Sequence, residues 1–306
     1  MSQEIAPSHI LQSLSDGITE VAEKVGPSVV GVGRGRRVGS GVLWSPDGYI
    51  VTCSHTVAGA EVEVKLGEGR SFDAKVVGQD RYSDVALLKI EEDGLEAIEL
   101  GQSENVRVGQ LVISVANPFG QDPSVTSGVV TTARHSIRGW WGRMMEDVIV
   151  TDTRLTPGYS GGPLVDVSGR MLGLNAAYVS SRGIAVPVHT VKRIADQLAD
   201  EGRIRRAYLG ILSNTISLPP EIATQPQVNQ DTAVIVFSVE ADSPAKEAGL
   251  AIGDVLVKFD EKPVRSVNDL PKLLGEEVLG KPSKLWILRG EKPTELTITP
   301  GERTTE

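Results

Sequence analysis

The stretch Thr156-Pro157-Gly158-Tyr159-Ser160-Gly161-Gly162-Pro163-Leu164-Val165-Asp166 sets one hydroxyl among glycines and then returns to an apolar strand. Glycines on both sides of Ser160 allow positive φ and close approach of the backbone to a bound molecule. A nucleophile needs such a turn, with backbone N–H groups facing a developing oxyanion, so the N–H groups of Gly158 and Ser160 are candidate donors. Taken alone, the stretch also reads as a glycine-rich hairpin turn with an incidental serine, because Gly-x-Ser-x-Gly matches are common.

Working outward, a serine of this kind requires a base and a carboxylate that orients it. Of the four histidines, His55 lies just past the strand Tyr49–Thr52 and before the small residues Ala58-Gly59-Ala60, at a strand end beside open space. His9, His135 and His189 fall in a helix, a polar loop and a helix start, and read as surface or satisfied histidines. Asp84 opens the apolar strand of Ser83-Asp84-Val85-Ala86-Leu87-Leu88-Lys89, so its carboxylate is expected to be half-buried and to need a partner. A capping role is the alternative for Asp84.

The surrounding chain supplies a β scaffold. From Ser28 to about Pro187, short β-branched runs alternate with turns such as Asp47-Gly48 and Ser168-Gly169, the pattern of antiparallel barrels. Glycine, at 33 of 306 residues, points the same way. Apolar residues Ile10, Leu14, Ile18, Val21 and Val25 mark an amphipathic helix stopped by Gly26-Pro27, and Val188, Val191, Ile194, Ala195 and Leu198 mark a second one ended by Gly202. The basic stretch Gly202-Arg203-Ile204-Arg205-Arg206 places a boundary, giving an N-terminal helical segment (1–27), a first domain (28–202) and a second (203–306). In the second, strands are expected at Tyr208–Leu212, Ala233–Val239, Val255–Asp260, Ser283–Leu288 and Glu295–Thr299, with helices at Pro244–Ala248 and Val267–Leu274.

Composition narrows the function classes. A net charge of −9 repels phosphate backbones and anionic lipid, so nucleic acid is not an expected partner. No apolar run approaches the roughly 20 residues of a membrane helix. Cys53 is the single cysteine and cannot close an internal disulfide. No histidine or cysteine cluster has metal-ligand spacing, so no metal and no cofactor are expected. The start Met1-Ser2-Gln3-Glu4-Ile5-Ala6-Pro7 has no export signal, which reads as a cytoplasmic protein if Met1 is the native start, or a periplasmic or extracytoplasmic one whose signal has been removed.

The order His55, Asp84, Ser160, separated by 29 and 76 residues in a chain of barrel-forming strands, is one of those found in serine proteases. Here the chain resembles the trypsin-like peptidases, and within them the HtrA (Deg) family with a C-terminal PDZ domain. The resemblance rests on Gly39-Ser40-Gly41-Val42, Tyr49-Ile50-Val51-Thr52 before His55, the Asp84 motif, Val125-Thr126-Ser127-Gly128-Val129-Val130, the Ser160 turn and Gly183-Ile184-Ala185-Val186-Pro187. Tyr208-Leu209-Gly210-Ile211 and Asp242-Ser243-Pro244-Ala245-Lys246-Glu247-Ala248-Gly249-Leu250 look like the PDZ family.

The resemblance implies a mainly β fold, a trypsin-like double six-stranded β-barrel followed by a small PDZ-like β-sandwich with two helices. It implies His55, Asp84 and Ser160 as triad, and an oxyanion hole formed by Gly158, Tyr159 and Ser160, with Tyr159 contributing its backbone N–H. It implies an S1 pocket lined by Leu155, Asn175, Ala176, Ala177 and Ile184. The position six before the nucleophile, acidic in enzymes that cut after basic residues, is Arg154 here, so small or medium aliphatic residues are the expected P1, with acidic residues the alternative if Arg154 points into the pocket. Tyr208, Leu209, Gly210 and Ile211 would receive a peptide C-terminal carboxylate. Unfolded polypeptides are the implied substrates, and a homotrimer built partly on the N-terminal segment is the implied assembly. Trp140, Trp141, Met144 and Met145 suggest a regulatory sensor loop, an intersubunit contact or local packing. Two features depart from the family: Cys53-Ser54 before the histidine and Tyr159 before the nucleophile, where asparagines are usual. The rival reading is a latent, non-proteolytic chaperone or peptide-binding scaffold.

Overall fold

Alternating β-branched runs bounded by turns form twelve strands between residues 29 and 187 of the computed structural model, which describes residues 7–34, 37–57, 61–138, 144–179, 182–267, 269–290 and 292–302. The chain divides into two compact units, 1–204 and 205–306.

In the first unit, β1 (Val29–Arg34), β2 (Arg37–Leu43), β3 (Tyr49–Cys53), β4 (Glu61–Lys65), β5 (Ser71–Asp80) and β6 (Val85–Lys89) close into one barrel. The remaining six close into another: β7 (Leu111–Ala116), β8 (Ser124–Arg138), β9 (Met144–Thr151), β10 (Pro163–Val165), β11 (Met171–Val179) and β12 (Arg182–Pro187). Each barrel fills its interior with its own alternate residues: Val30, Val32, Leu43, Ile50 and Leu88 in the first, and Val112, Val130, Ile149, Leu164 and Leu172 in the second. The opposite faces, Val51, Cys53 and Leu87 from one and Val115 and Leu174 from the other, share a third cluster. Each such fully buried aliphatic contributes about 1.5–3 kcal/mol, so the seam between the barrels is held as firmly as either interior.

Two helices complete that seam. Helix α1 (Pro7–Val25) buries Val21 and Val25 but leaves Ile10, Leu11 and Leu14 exposed. Helix α2 (Val188–Glu201) buries Val188, Val191, Ile194, Ala195 and Leu198, the stripe read from the sequence. The β8–β9 hairpin is longer than the sequence pattern suggested, because β-bulges between Val130 and Ile137 re-aim the strand while its pairing continues. Trp140 and Trp141, and the side chains of Met144 and Met145, lie outside the described residues.

The second unit holds β13 (Ala207–Tyr208) paired with β20 (Gly301–Glu302), and a six-stranded sheet. That sheet runs β14 (Ile211–Ser217), β15 (Thr232–Val239), β16 (Val255–Phe259), β18 (Ser283–Arg289) and β19 (Lys292–Ile298), with β17 (Lys262–Pro263) on β16. The strand expected over Tyr208–Leu212 is broken in two, because Gly210 adopts φ +83 and a Cβ there would stand 2.2 Å from Ser243 Cβ. Of the short helices α3 (Pro220–Ala223), α4 (Pro244–Glu247) and α5 (Asp269–Leu273), the first was not expected. Pro220 starts it with its preset φ after Pro219.

Candidate active site

At the C-terminal end of β3 the chain makes a single 3-10 turn, Ser54–Thr56, which lifts His55 out of the barrel wall. That turn is pinned to the residue preceding β6. Ser54 N–H donates to the Asp84 carbonyl at 3.0 Å, and His55 N–H donates to Asp84 Oδ1 at 2.9 Å. His55 Nδ1 meets Asp84 Oδ2 at 2.7 Å. Backbone and ring of one histidine are therefore held by the two oxygens of one carboxylate. Asp84 reaches this position in the left-handed region, φ +58, a conformation that Asp and Asn tolerate and that clusters at functional sites. Its side chain is 17% exposed and that of His55 32%, so the carboxylate is the sheltered partner and the imidazole the accessible one.

Ser160 stands on the turn before β10. Tyr159 N–H donates to Thr156 O and Gly162 N–H to Tyr159 O, which closes the turn on itself. Gly161 N–H donates to Asn175 O at 2.7 Å and Asn175 N–H to Gly162 O at 2.8 Å, fixing the turn to β11. Gly161 is obligatory: at φ +87 a Cβ would lie 2.0 Å from Ser40 O. Across Gly39, whose Cβ would be 2.8 Å from Thr56 Cγ2 and 3.0 Å from Ser160 O, the histidine turn and the serine turn meet. Ser160 Oγ itself donates to Ala176 O at 3.3 Å.

Among the described residues no acceptor takes the N–H of Gly158 or Ser160. The Tyr159 N–H is different. Its bond to Thr156 O occupies it, so the backbone donation to an oxyanion expected of Tyr159 is not available in this geometry. The Tyr159 ring is buried with Leu155 and Ala116, and burial pushes its phenol up from the ordinary value.

Of the residues expected around S1, Leu155, Asn175, Ala176 and Ile184 are buried, and the Ala177 side chain lies outside the described residues. The Asn175 amide is committed to the interior, Nδ2 donating to Pro163 O at 3.0 Å and Oδ1 accepting from Ser114 Oγ at 3.3 Å. Arg154 is exposed. Ser114, Thr153 and Thr151, which no sequence signal singled out, extend that hydroxyl chain toward Gly183.

Cys53, His55 and Asp84 place sulfur, nitrogen and oxygen within 4.8 Å of one another, a set that could ligate a metal. Burial, and secondarily the Asp84 charge, push the Cys53 thiol well above its ordinary value. The site thus favours the S–H form, which donates to Asn175 O at 3.2 Å, over the thiolate a metal takes. A second Ser–His–Asp grouping occurs elsewhere. His189 Nδ1 lies 2.7 Å from Ser103 Oγ, and Nε2 lies 3.2 Å from Asp147 Oδ2, beside a cavity of about 340 Å³. There Ser103 Oγ accepts the His189 N–H, so the serine caps the start of α2 and no glycine turn surrounds it.

In the second unit, the Leu209 carbonyl accepts from Ala245 N–H and the Gly210 carbonyl from Glu240 N–H, both away from the peptide N–H side of the loop. Leu209 and Gly210 N–H have no acceptor among the described residues. Tyr208 is tied back through its hydroxyl, which donates to Glu240 Oε2 at 2.6 Å. Ile211 begins β14, which among the described residues pairs with β15 alone and is an edge of its sheet. A short loop of open N–H groups leading into an unpaired strand edge can bind a carboxylate and then an extended backbone.

A trypsin-like peptidase domain matches residues 39–174 and a PDZ domain residues 220–299. A probable periplasmic serine endoprotease, DegP-like, of Halomonas elongata is 35% identical over 278 residues, covering 87% of this chain and 57% of its own length. The putative serine protease HhoB of Synechocystis is 33% identical over 289 residues, covering 88% of this chain and 67% of its own. The chain thus spans little more than half of the DegP-like relative. Among solved structures, the HtrA-type protease AlgW with a decapeptide superposes with a TM-score of 0.78 at 26% identity, over 94% of this chain and 99% of that one. The serine endoprotease from Yersinia pestis superposes with a TM-score of 0.76 at 27% identity, over 94% and 98%. Two closed six-stranded barrels followed by a PDZ domain, with this similarity along nearly the whole chain, place it in the HtrA/Deg family of trypsin-like serine proteases.

Proposed function

We propose that this chain is a serine endopeptidase acting on unfolded or misfolded polypeptides, with His55, Asp84 and Ser160 as its triad. The observation that carries the reading is the His55–Asp84 pair at 2.7 Å, on a turn that meets the Ser160 turn across Gly39, together with Gly158 and Ser160 N–H groups that have no acceptor among the described residues. In the reaction, substrate binding turns the Ser160 hydroxyl from Ala176 O toward His55. His55 Nε2 takes the Ser160 proton as Oγ attacks the peptide carbonyl, and Asp84 holds Nδ1 protonated and stabilises the imidazolium. The oxyanion is received by Gly158 and Ser160 N–H, each worth about 3 kcal/mol of barrier. His55 then protonates the leaving amine, and water repeats the cycle on the acyl-enzyme.

Three further parts belong to this reading. Leu155, Asn175, Ala176, Ala177 and Ile184 form an S1 pocket without a carboxylate, which favours aliphatic P1 residues. Leu209, Gly210 and Ile211, steadied by Tyr208, receive the C-terminal carboxylate of a peptide laid along β14. Copies associate as a homotrimer, a reading supported by the exposed apolar face of α1 at Ile10, Leu11 and Leu14.

The test is covalent labelling. A fluorophosphonate probe should label Ser160, and Ser160→Ala should abolish both labelling and casein digestion while its melting temperature stays that of wild type. Undiminished proteolysis by Ser160→Ala refutes the assignment.

A further inference from the structure

Ser40 lies in β2, in the first barrel, yet it holds the nucleophile turn that belongs to the second. Its N–H donates to Ser160 O at 2.8 Å, and its hydroxyl donates to Gly158 O at 2.8 Å. The direction of that second bond is settled by a third. Asn117 N–H donates to Ser40 Oγ at 2.8 Å, so the hydroxyl's acceptor side is taken and its proton points at Gly158. Ser40 is fully buried, which leaves water no access to replace any of these partners. Its carbonyl accepts from Thr52 Oγ1 at 2.7 Å, and β1 and β3 flank it through the Gly31–Ser40 and Gly41–Thr52 pairings. The residue is a rigid point of the first barrel.

The two carbonyls it holds belong to Gly158 and Ser160, whose N–H groups are the proposed oxyanion donors. Between them, the Gly158–Tyr159 peptide is restrained at both ends, its carbonyl by Ser40 Oγ and its N–H by Thr156 O. Gly158 sits at φ +105 with Pro118 where a Cβ would be, so no side chain of its own can steady it. A glycine in that region is otherwise free to rotate the adjoining peptides.

We propose that Ser40 is a positioning residue for the oxyanion hole: its buried hydroxyl, oriented by Asn117, locks the Gly158 peptide so that the two N–H groups converge on one point. The inference rests on the serine-protease reading. Without the hydroxyl, Gly158 O loses its donor and Asn117 N–H its acceptor, and the hole is reached only in a fraction of conformers. Displacements of about 1 Å in such sites lower rates on the order of 100-fold.

The experiment uses the full chain and its Ser40→Ala and Ser40→Cys variants, with an unstructured peptide substrate and active-site titration by a fluorophosphonate. For Ser40→Ala, kcat per titrated site should fall roughly 10–100-fold with KM within about twofold, and the labelling rate should fall in parallel. Ser40→Cys keeps the volume and a weak donor and should lie between. If Ser40→Ala does not fold, the same comparison is made between Ser40→Cys and wild type, for which a kcat loss at unchanged KM is again required. Wild-type kcat per titrated site in a folded variant, whatever its melting temperature, overturns the proposal and leaves the protease reading intact. Failure of the wild-type chain to label at all overturns the protease reading itself.

Discussion

Replacing Asp84 by asparagine isolates the carboxylate's charge from its shape. Asparagine keeps the volume and tolerates the left-handed backbone, so φ +58 adds little strain. Oδ1 can still accept the His55 N–H at 2.9 Å. The other end then presents an NH2 group to His55 Nδ1, 2.7 Å away, where an acceptor stood. Two donors cannot face each other, so the imidazole must carry its proton on Nε2, the nitrogen that has to accept from Ser160. In triads of this kind the wrong tautomer and the lost imidazolium stabilisation lower kcat about 10⁴-fold, equivalent to roughly 5.4 kcal/mol at 1.36 kcal/mol per decade. The assay is cleavage of a quenched fluorescent peptide at pH 8, together with thermal unfolding. The expected result is a kcat loss on the order of 10⁴ at a nearly unchanged melting temperature. Asp84→Ala should lose comparable activity but also about 1–2 kcal/mol of stability, because alanine resists the left-handed region. A folded Asp84→Asn variant within tenfold of wild-type kcat would refute the role assigned to the pair.

Peptides with apolar C-termini should bind the PDZ domain and their amidated forms should not, since Leu209 and Gly210 N–H groups need a free carboxylate; equal affinities in calorimetry would defeat that assignment. Casein fragments should end mostly in valine, alanine or leucine, because no carboxylate is found among the described S1 residues to pair an entering lysine or arginine. Mostly basic P1 residues would contradict the pocket, and mostly acidic ones would mean that Arg154 reaches it. In the PDZ domain, burial raises the Asp254 carboxyl, but hydrogen bonds from Arg289 and Ala251 N–H and the Arg289 charge outweigh it and hold it below its ordinary value. A depressed folded value means stability that is present above the unfolded carboxylate range near 4 and lost as pH falls through the folded one. Asp254→Asn should therefore cost about 1–3 kcal/mol at pH 7, read by urea unfolding, and this difference should shrink below about pH 4. A difference independent of pH would show that the charge is not what stabilises the site.

Much of this molecule was legible in one dimension. Strand alternation, the α2 stripe and the glycine-cradled serine are local patterns, since each depends on the period of a strand or helix or on the φ of one residue. The order and spacing of His55, Asp84 and Ser160 were read through the resemblance to trypsin-like peptidases, and of the three the structure gives the His55–Asp84 pair its hydrogen bond. The extra length of the β8–β9 hairpin was not legible, because bulges continue pairing beyond the alternating run. Nor was the break at Gly210, where a single left-handed residue interrupts a run that reads as one strand.

What only the tertiary structure decided is which polar groups are already satisfied. Tyr159 N–H, expected to face the oxyanion, is taken by Thr156 O, and the Asn175 amide by Pro163 O and Ser114. Ser40 falls in the Gly39-Ser40-Gly41-Val42 motif that carries part of the family resemblance, but nothing in that motif says what its hydroxyl binds. Its role comes from contacts 118 and 77 positions away, with Gly158 O and Asn117 N. A strand's period specifies which face a hydroxyl occupies, but its partner depends on how two barrels close and pack, and that packing is set by the whole shared core.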